Sequence, residues 1–369
     1  MVAKKKILHL ITGLELGGGA ENMLLQLLPK MQDNLDNCVC AIKGKGEIGK
    51  KLEEAGIPVY YLELRNIFDI GMIFRYRNIL KDFRPDIQVN YLIHADIFGR
   101  ILGKIFGVKK IVPYIRNIHK SMPSLMFLDR ITLFLSDFIL TNSETSRRYY
   151  IEKMGVSADK IICIPNGIDL TRFENLNVNR EKKLKEIGIS VGSFIIGCVA
   201  RLEKQKDIPT LIRAFKIVRE KHPKAHLLIV GHGSQKENLK NLIVELDIEN
   251  KATMLEKRTD NLELISIMNI FVLPSLNEGM SNAVIEAMAS QIPVITSDVE
   301  ENKELIKDNH NGMNFKNGNF KDLAKKLSLF LNMNRDNVIL FKRRSLWMIK
   351  DKYRLDYALK SYKNFLLNC

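Results

Sequence analysis

No long hydrophobic run occurs in this chain; every apolar stretch is broken well short of the roughly 20 residues that a bilayer-spanning helix requires. The opening "MVAKKKILHLITGL" is basic, yet its apolar residues 7–11 are too few and too interrupted for a secretory signal core, and they read as a first buried strand. Cysteine is sparse and poorly placed for bonding. Cys38, Cys40, Cys163, Cys198 and Cys369 are odd in number and widely scattered, with no C-x-x-C pair and no zinc-like spacing, so they read as reduced cytosolic thiols, mostly in strands. Proline is sparse too, with 10 in 369 residues; beside 46% hydrophobic and 27% charged residues, this composition excludes widespread disorder.

Acidic charge is in deficit, 42 residues against 57 lysines and arginines, for a formal net charge of +15. Such a surplus suits a polyanionic partner, whether nucleic acid, anionic lipid or a phosphorylated small molecule. The cations are dispersed and no known type of DNA- or RNA-binding motif appears, which argues against nucleic acid.

What is present is length and rhythm. A chain of 369 residues exceeds one ordinary core and suits two domains. Apolar runs alternate with amphipathic segments in the first half: "KILHLI", "NCVCAI", "PVYYLEL", "PDIQVNYL", "KKIVPYI" and "DFILTNS". This βαβ rhythm predicts a parallel sheet covered by helices on both faces. It pauses through the polar residues 175–185, then restarts with "SFIIGCVA", "AHLLIVG", "KATMLE", "IFVLPS" and "PVITSD". The spacing predicts a first domain over residues 1–172, a linker near 170–190, a second domain over 187–345, and a C-terminal helix over 346–369. In that helix Tyr353, Tyr357 and Tyr362 would lie on or near one face against the first domain. Open α/β sheets bind ligands outside the carboxyl ends of their strands, so residues that follow strands are the candidates.

After the first strand comes "LELGGGAEN", which is either a tight structural turn or a place where backbone approaches an anion before a helix N-terminus. It is not G-x-G-x-x-G, and no acid ends the second strand as a dinucleotide site would want. After "SFIIGCVA" stand Arg201 and Lys206, either a solvated basic loop or a cationic seat for a pyrophosphate. Gly231 follows "LLIV" and permits close backbone approach. In "PSLNEGMSNAVIEAMA", the backbone of Gly279, Met280, Ser281 and Asn282 opens a helix, where free amides suit a phosphate. Glu278 and Glu286 are either ordinary acids complementing a helix dipole or acceptors for sugar hydroxyls.

Together "GGAEN", "PDIQVNYLIHADIFGR", "TNSETSRRYY", "IPNGIDLTRF", "ARLEKQKDIPTLIRAF", "LLIVGHG" and "PSLNEGMSNAVIEAMASQIPVITSD" closely resemble the retaining glycosyltransferases of the GT-B class, in particular glycosyltransferase family 4 (glycosyl transferases group 1). The resemblance implies an α/β fold of two Rossmann-like doubly wound domains facing across a cleft, acceptor on the first and nucleotide sugar on the second, with the C-terminal helix crossing back. It implies that Arg201 and Lys206 bind the donor diphosphate, that Glu286 binds the ribose and Glu278 lies at the donor sugar, and that Gly17 and Gly18 line the phosphate side. Many relatives carry a strand-end histidine after a segment like "KKIVPYI"; here Arg116 stands there, with His119 three residues on, while His94 matches a histidine of one branch of the family. Gln291 replaces an expected glycine, and Glu300 and Glu301 replace a glycine pair. Extra carboxylates there would select a particular sugar or weaken catalysis.

The resulting expectation is a cytoplasmic, metal-independent, cofactor-free retaining enzyme. It would move a sugar from a nucleotide sugar, a UDP-sugar in the first instance, to a hydroxyl of a growing glycan in surface polysaccharide, lipopolysaccharide or lipid-linked oligosaccharide assembly. Rival readings of the same fold are a nucleotide-sugar epimerase or hydrolase and a non-catalytic nucleotide-sugar-binding subunit. Residues 65–84 and 118–130 mix cations with apolar side chains. They are either ordinary helices packed on the sheet or the rim of the acceptor side, resting on an anionic leaflet at the inner face of the plasma membrane.

Overall fold

The computed structural model of the chain describes residues 4–15, 18–66, 69–118, 122–256 and 258–369. It forms two compact units, one of Met1–Asn166 with Tyr357–Cys369 and the other of Gly167–Asp356.

Among the described residues the first unit carries seven parallel strands: β1 (Lys5–Ile11), β2 (Leu35–Ala41), β3 (Val59–Tyr61), β4 (Ile87–Tyr91), β5 (Lys110–Ile115), β6 (Ile139–Thr141) and β7 (Ile161–Cys163), in the spatial order 3-2-1-4-5-6-7. The central strands are buried along nearly their whole length, as a sheet covered on both faces requires. Order reverses between β1 and β4, which is where a doubly wound sheet opens a ligand-binding crevice.

The helix Ile93–Ile105 lies unusually close to this sheet. A Cβ on Gly99 would stand 2.5 Å from Asn90 Oδ1 and 2.6 Å from Leu10 Cδ2, so only glycine fits there. Arg100 on the same helix is fully buried, 2.5 Å from Asp129 and 3.4 Å from Asp96, while Tyr150 donates to Asp129 at 2.6 Å. These bonds fix the helix against its neighbours.

Tyr362 closes the first unit from the other end of the chain. Its hydroxyl bonds that of Tyr91, which lies 3.0 Å from His9 Nδ1, and His9 Nε2 is 3.1 Å from Asn37 Oδ1. Burial lowers the His9 pKa to about 4, so the ring is neutral within this polar chain. Lys5 Nζ caps the final helix through the carbonyls of Leu366 at 3.1 Å, Leu367 at 2.8 Å and Cys369 at 3.0 Å, a cation at the negative end of the helix dipole.

The expected single helix over 346–369 is two helices, Arg335–Lys352 and Leu355–Asn368, broken at Tyr353 and Arg354. Tyr353 is buried in the core of the second unit, Tyr357 is exposed, and of the three tyrosines only Tyr362 is buried in the first unit. The break is pinned by a backbone exchange, Ile168 N to Tyr353 O at 2.7 Å and Leu355 N to Ile168 O at 2.9 Å.

The second unit repeats the plan with β8 (Phe194–Val199), β9 (Ala225–Val230), β10 (Ala252–Leu255), β11 (Ile270–Leu273), β12 (Val294–Ser297) and β13 (Met313–Phe315), all parallel, in the order 10-9-8-11-12-13. The polar stretch expected as a linker is a structured part of this unit. Its helix Arg180–Glu186 buries Leu184 in the core, and Lys183 pairs with Asp260 at 2.7 Å and Glu263 at 2.6 Å.

Gln291 shows why a glycine is expected at its position. The helix Asn282–Ala289 ends with Gln291 N bonded to Met288 O at 3.0 Å and Ile292 N to Ala287 O at 2.9 Å, the pattern of a Schellman motif whose turning residue is left-handed. Gln291 has φ of 56°. A side chain there is strained, and the Gln291→Gly variant is expected to stabilise the second unit by about 1 kcal/mol. Urea unfolding would register this as a higher midpoint with unchanged slope.

Candidate functional site

In the second sheet the order reverses between β8 and β11, and the segments leaving both strands meet at their carboxyl ends. Leu276 N donates to Gln205 O at 2.9 Å and Gln205 Nε2 to Asn277 O at 2.9 Å. These bonds bring the Arg201 to Lys206 segment against the Glu278 segment. Lys206 Nζ forms an ion pair with Glu278 Oε1, the two side chains only 13% and 7% exposed. Ser275 Oγ donates to the same oxygen at 2.6 Å. Arg201, by contrast, is exposed, and among the described residues its guanidinium has no hydrogen-bond partner. The site therefore offers one held cation and one free planar cation.

Behind Glu278 the helix Asn282–Ala289 begins with Ser281 as its cap, its side chain accepting from Val284 N at 3.4 Å. Met280 is buried and Asn282 half-buried. Glu286 lies one turn further in. Burial pushes its carboxyl up to about 7, offset in part by the positive charge of Arg172. Arg172 is exposed on the short helix Thr171–Glu174. An acid held near neutrality by lost hydration is a feature of functional sites.

Gly231 and Gly233 have a cause within the fold. A Cβ on Gly231 would overlap the Ala200 carbonyl, and one on Gly233 would stand 2.5 Å from Leu202 O. The two glycines let the β9 segment lie flat against the Arg201 segment, where Leu202 N donates to His232 O at 2.7 Å. Their close approach is to the protein's own backbone.

In the first unit, Gly18, His94 and Arg116 follow β1, β4 and β5 respectively; Gly17 and His119 lie outside the described residues. A Cβ on Gly18 would overlap the carboxylate of Glu21, so the acid in the helix's first turn folds back over its start. An anion seated on those amides has to displace Glu21. His94 is exposed in the first turn of its helix, which opens at Leu92 with φ of 70° and ψ of 140°. A leucine in this conformation is strained, and the strain sits at the carboxyl end of β4. Arg116 is committed elsewhere, donating to Asn166 Oδ1 at 2.7 Å and standing 5.5 Å over the Tyr114 ring. Its geometry is that of a brace. Glu300 pairs with Lys303 at 2.8 Å, and Glu300 and Glu301 open a short helix whose dipole acids complement.

Sequence reasoning missed Arg172, Ser275, Ser297 and Asn302. Arg172 sits in the quoted "IPNGIDLTRF", and Ser275 ends the quoted "IFVLPS", two residues past β11. Among the described residues no group of three or more His, Cys, Asp or Glu is placed to hold a metal ion.

Two doubly wound units, the second with a basic and carboxylate-lined strand edge, are the architecture of the GT-B class of glycosyltransferases. The family models agree: "Glycosyltransferase Family 4" matches residues 17–172 and "Glycosyl transferases group 1" matches residues 179–344. Among curated relatives, the Campylobacter jejuni N,N'-diacetylbacillosaminyl-diphospho-undecaprenol alpha-1,3-N-acetylgalactosaminyltransferase is 30% identical over 345 residues, 85% of this chain and 87% of that one. The Escherichia coli UDP-Gal:alpha-D-GlcNAc-diphosphoundecaprenol alpha-1,3-galactosyltransferase is 27% identical, covering 84% of each chain. Among solved structures, Anabaena HepE in complex with UDP-glucose superposes with a TM-score of 0.88 at 20% identity, covering 99% of this chain and 100% of that one. The chain belongs to glycosyltransferase family 4.

Glu286 generates a pH prediction. Its folded pKa lies above its ordinary value, so the stability linked to it is full below about 4.5 and is lost as pH rises through about 7. Glu286→Gln is expected to raise the unfolding free energy at pH 8 by on the order of 1–3 kcal/mol, seen as a higher thermal midpoint, and to change it little at pH 4.5. Paired melts at the two pH values check this.

Proposed function

We propose that this enzyme is a retaining, metal-independent glycosyltransferase that uses a UDP-sugar and transfers to a lipid-linked glycan. The observation that carries the reading is the ion pair of Lys206 with Glu278 where the segments leaving β8 and β11 meet, with Arg201 on the first segment and Glu286 in the helix that the second segment opens. When the bond from the anomeric carbon to the phosphate oxygen breaks, negative charge develops on the departing diphosphate. Lys206, held by Glu278, and the amides opening the helix Asn282–Ala289 are fixed positive groups for it, and the exposed Arg201 adds a mobile planar cation. Glu286 accepts from ribose hydroxyls once deprotonated, and Glu278 faces the donor sugar. The acceptor hydroxyl's proton passes to the leaving phosphate, which needs no metal and no protein base. The E. coli relative's name specifies UDP-Gal, HepE binds UDP-glucose, and both curated relatives act on diphospho-undecaprenol carriers with α-1,3 linkage, which supports retention from an α-linked donor.

Arg201→Ala is expected to fold normally and to lower turnover with its UDP-sugar by at least about 10²-fold, the range for losing one preorganised donor of charge stabilisation. Lys206→Ala loses stability as well as turnover, since it strands the buried Glu278. Near-normal turnover by Arg201→Ala would remove the diphosphate assignment. A flat thermal shift of the wild-type enzyme with UDP, GDP, ADP and CMP would remove the donor site itself.

The lipid-linked acceptor supplies a reason for an apolar surface on the first unit. The helix Pro123–Thr132 and the turn Leu133–Leu135 expose Phe127, Leu128, Ile131 and Phe134, the last 81% exposed, beside Ile105 of the neighbouring helix. That exposed face carries Arg130 and no acid, because Asp129 is buried against Arg100. The helix Ile70–Phe83 adds exposed Ile70 and Phe74 with Arg77 and Lys81. Arg75 is not part of this surface charge; it is tied to Asp69 at 2.8 Å and to Leu62 O at 2.8 Å. Lys120 and Phe68 lie outside the described residues. Such faces rest on an anionic leaflet through apolar contact and salt-screened attraction, and among the described residues no helix is long and apolar enough to cross it. Wild-type enzyme is expected to co-sediment with phosphatidylglycerol vesicles at low salt and to release at high salt. At low salt, Phe127→Ser with Phe134→Ser should abolish binding, whereas Arg77→Glu with Lys81→Glu should weaken it. Indifference of the wild type to these vesicles would point to a soluble acceptor.

A further inference from the structure

The proposed donor site leaves a buried polar chain unexplained. Asn302, in the short helix after β12, is fully buried, and its Nδ2 donates to Ser297 Oγ at 3.2 Å and to Ser297 O at 3.2 Å. Ser297 Oγ donates to the Ser275 carbonyl at 2.5 Å, and Ser275 Oγ donates to Glu278 Oε1 at 2.6 Å. Ser275 and Ser297 are fully buried as well. Every donor in this series points the same way, from β12 across β11 to the carboxylate, so the chain has a direction and each hydroxyl proton has one place to go. Lys206 Nζ completes it on the same oxygen, Glu278 Oε1.

Both protein contacts of the Glu278 carboxylate thus fall on Oε1. Among the described residues Oε2 accepts no hydrogen bond, and it is not among the buried polar atoms lacking a partner, so it faces accessible space. A carboxylate held by one oxygen and open at the other has a single orientation to offer. An isolated ion pair with Lys206 would let the carboxylate rotate and share the ammonium between its oxygens; the Ser275 hydroxyl prevents that.

We propose that Asn302, Ser297 and Ser275 are positioning residues that lock Oε1 of Glu278 and reserve Oε2 for a hydroxyl of the donor sugar. The inference rests on the donor-site reading above and adds to it the three residues that aim the acid. They touch no substrate. Their effect is confined to the sugar half of the donor, because the nucleotide half is held by Glu286, Arg201 and the helix amides.

The test is a pair of affinities, for UDP and for whichever of UDP-glucose, UDP-galactose, UDP-N-acetylglucosamine and UDP-N-acetylgalactosamine binds wild type most tightly, measured by calorimetry with kcat beside them. Ser275→Ala and Ser297→Ala are expected to keep UDP affinity within twofold, to lose most of the extra affinity contributed by the sugar, and to lower kcat at least tenfold. Ser297→Thr, which keeps the hydroxyl, should restore both. Asn302→Asp, which cannot donate from that position when ionised, should behave like the alanine variants. Should an alanine variant fold poorly, the Ser297→Thr and Asn302→Asp pair decides alone. Loss of melting temperature with unchanged kcat and unchanged sugar increment would make the chain purely structural and overturn the proposal. If wild type binds none of the UDP compounds, the donor-site reading fails first, and the positioning role fails with it.

Discussion

The ion pair between Lys206 and Glu278 is the interaction on which the second unit's working edge depends. Two charges largely withdrawn from water cost several kcal/mol each in lost hydration unless their geometry and further hydrogen bonds compensate. Compensation here comes from Ser275, and through it from β12. The segments after β8 and β11 therefore cannot drift apart without exposing an uncompensated charge. The extended contacts of Gln205 with Leu276 and Asn277 follow from the same constraint.

Stability and activity pull in opposite directions at Glu286. An acid whose pKa burial has raised to about 7 is half ionised near neutrality, and the protein is more stable when it is protonated. On the donor-site reading proposed above, ribose hydroxyls would supply the hydrogen bonds that lost hydration removed, and a bound nucleotide would restore the charged form.

The fold was legible because apolar runs of strand length recur at regular spacing, and each of the strand-like runs in both halves corresponds to a strand. Strands β7 and β13 are missing from those runs, since three residues each within "KIICIPNG" and "NGMNFKNG" carry no periodic signal. The linker was misplaced for a physical reason: residues 175–185 are polar on their surface, while Leu184 alone anchors the helix and Lys183 is buried only by virtue of its acid partners. The charged members of the candidate site were legible because they follow strands. The serines and Asn302 were not, because a buried hydroxyl is recognisable only by what it touches. Gln291 shows the converse, a residue whose oddity was visible in sequence and whose cause is a backbone angle.

The first unit is discontinuous in the chain, and this orders its assembly. Tyr91 and Tyr362 are partners across 271 positions, and between them lies the whole of a contiguous second unit. During synthesis the second unit has all its strands before residues 357–369 emerge, so it can close while the first still lacks its last helix. Until then His9, Tyr91 and Tyr114 lie beneath a missing cover, with the Tyr91 hydroxyl awaiting that of Tyr362. The first half of the sequence is the last part of the protein to be finished. Its exposed intermediate lifetime is set by the translation of the second half, a span over which chaperone engagement of that uncovered face is favoured.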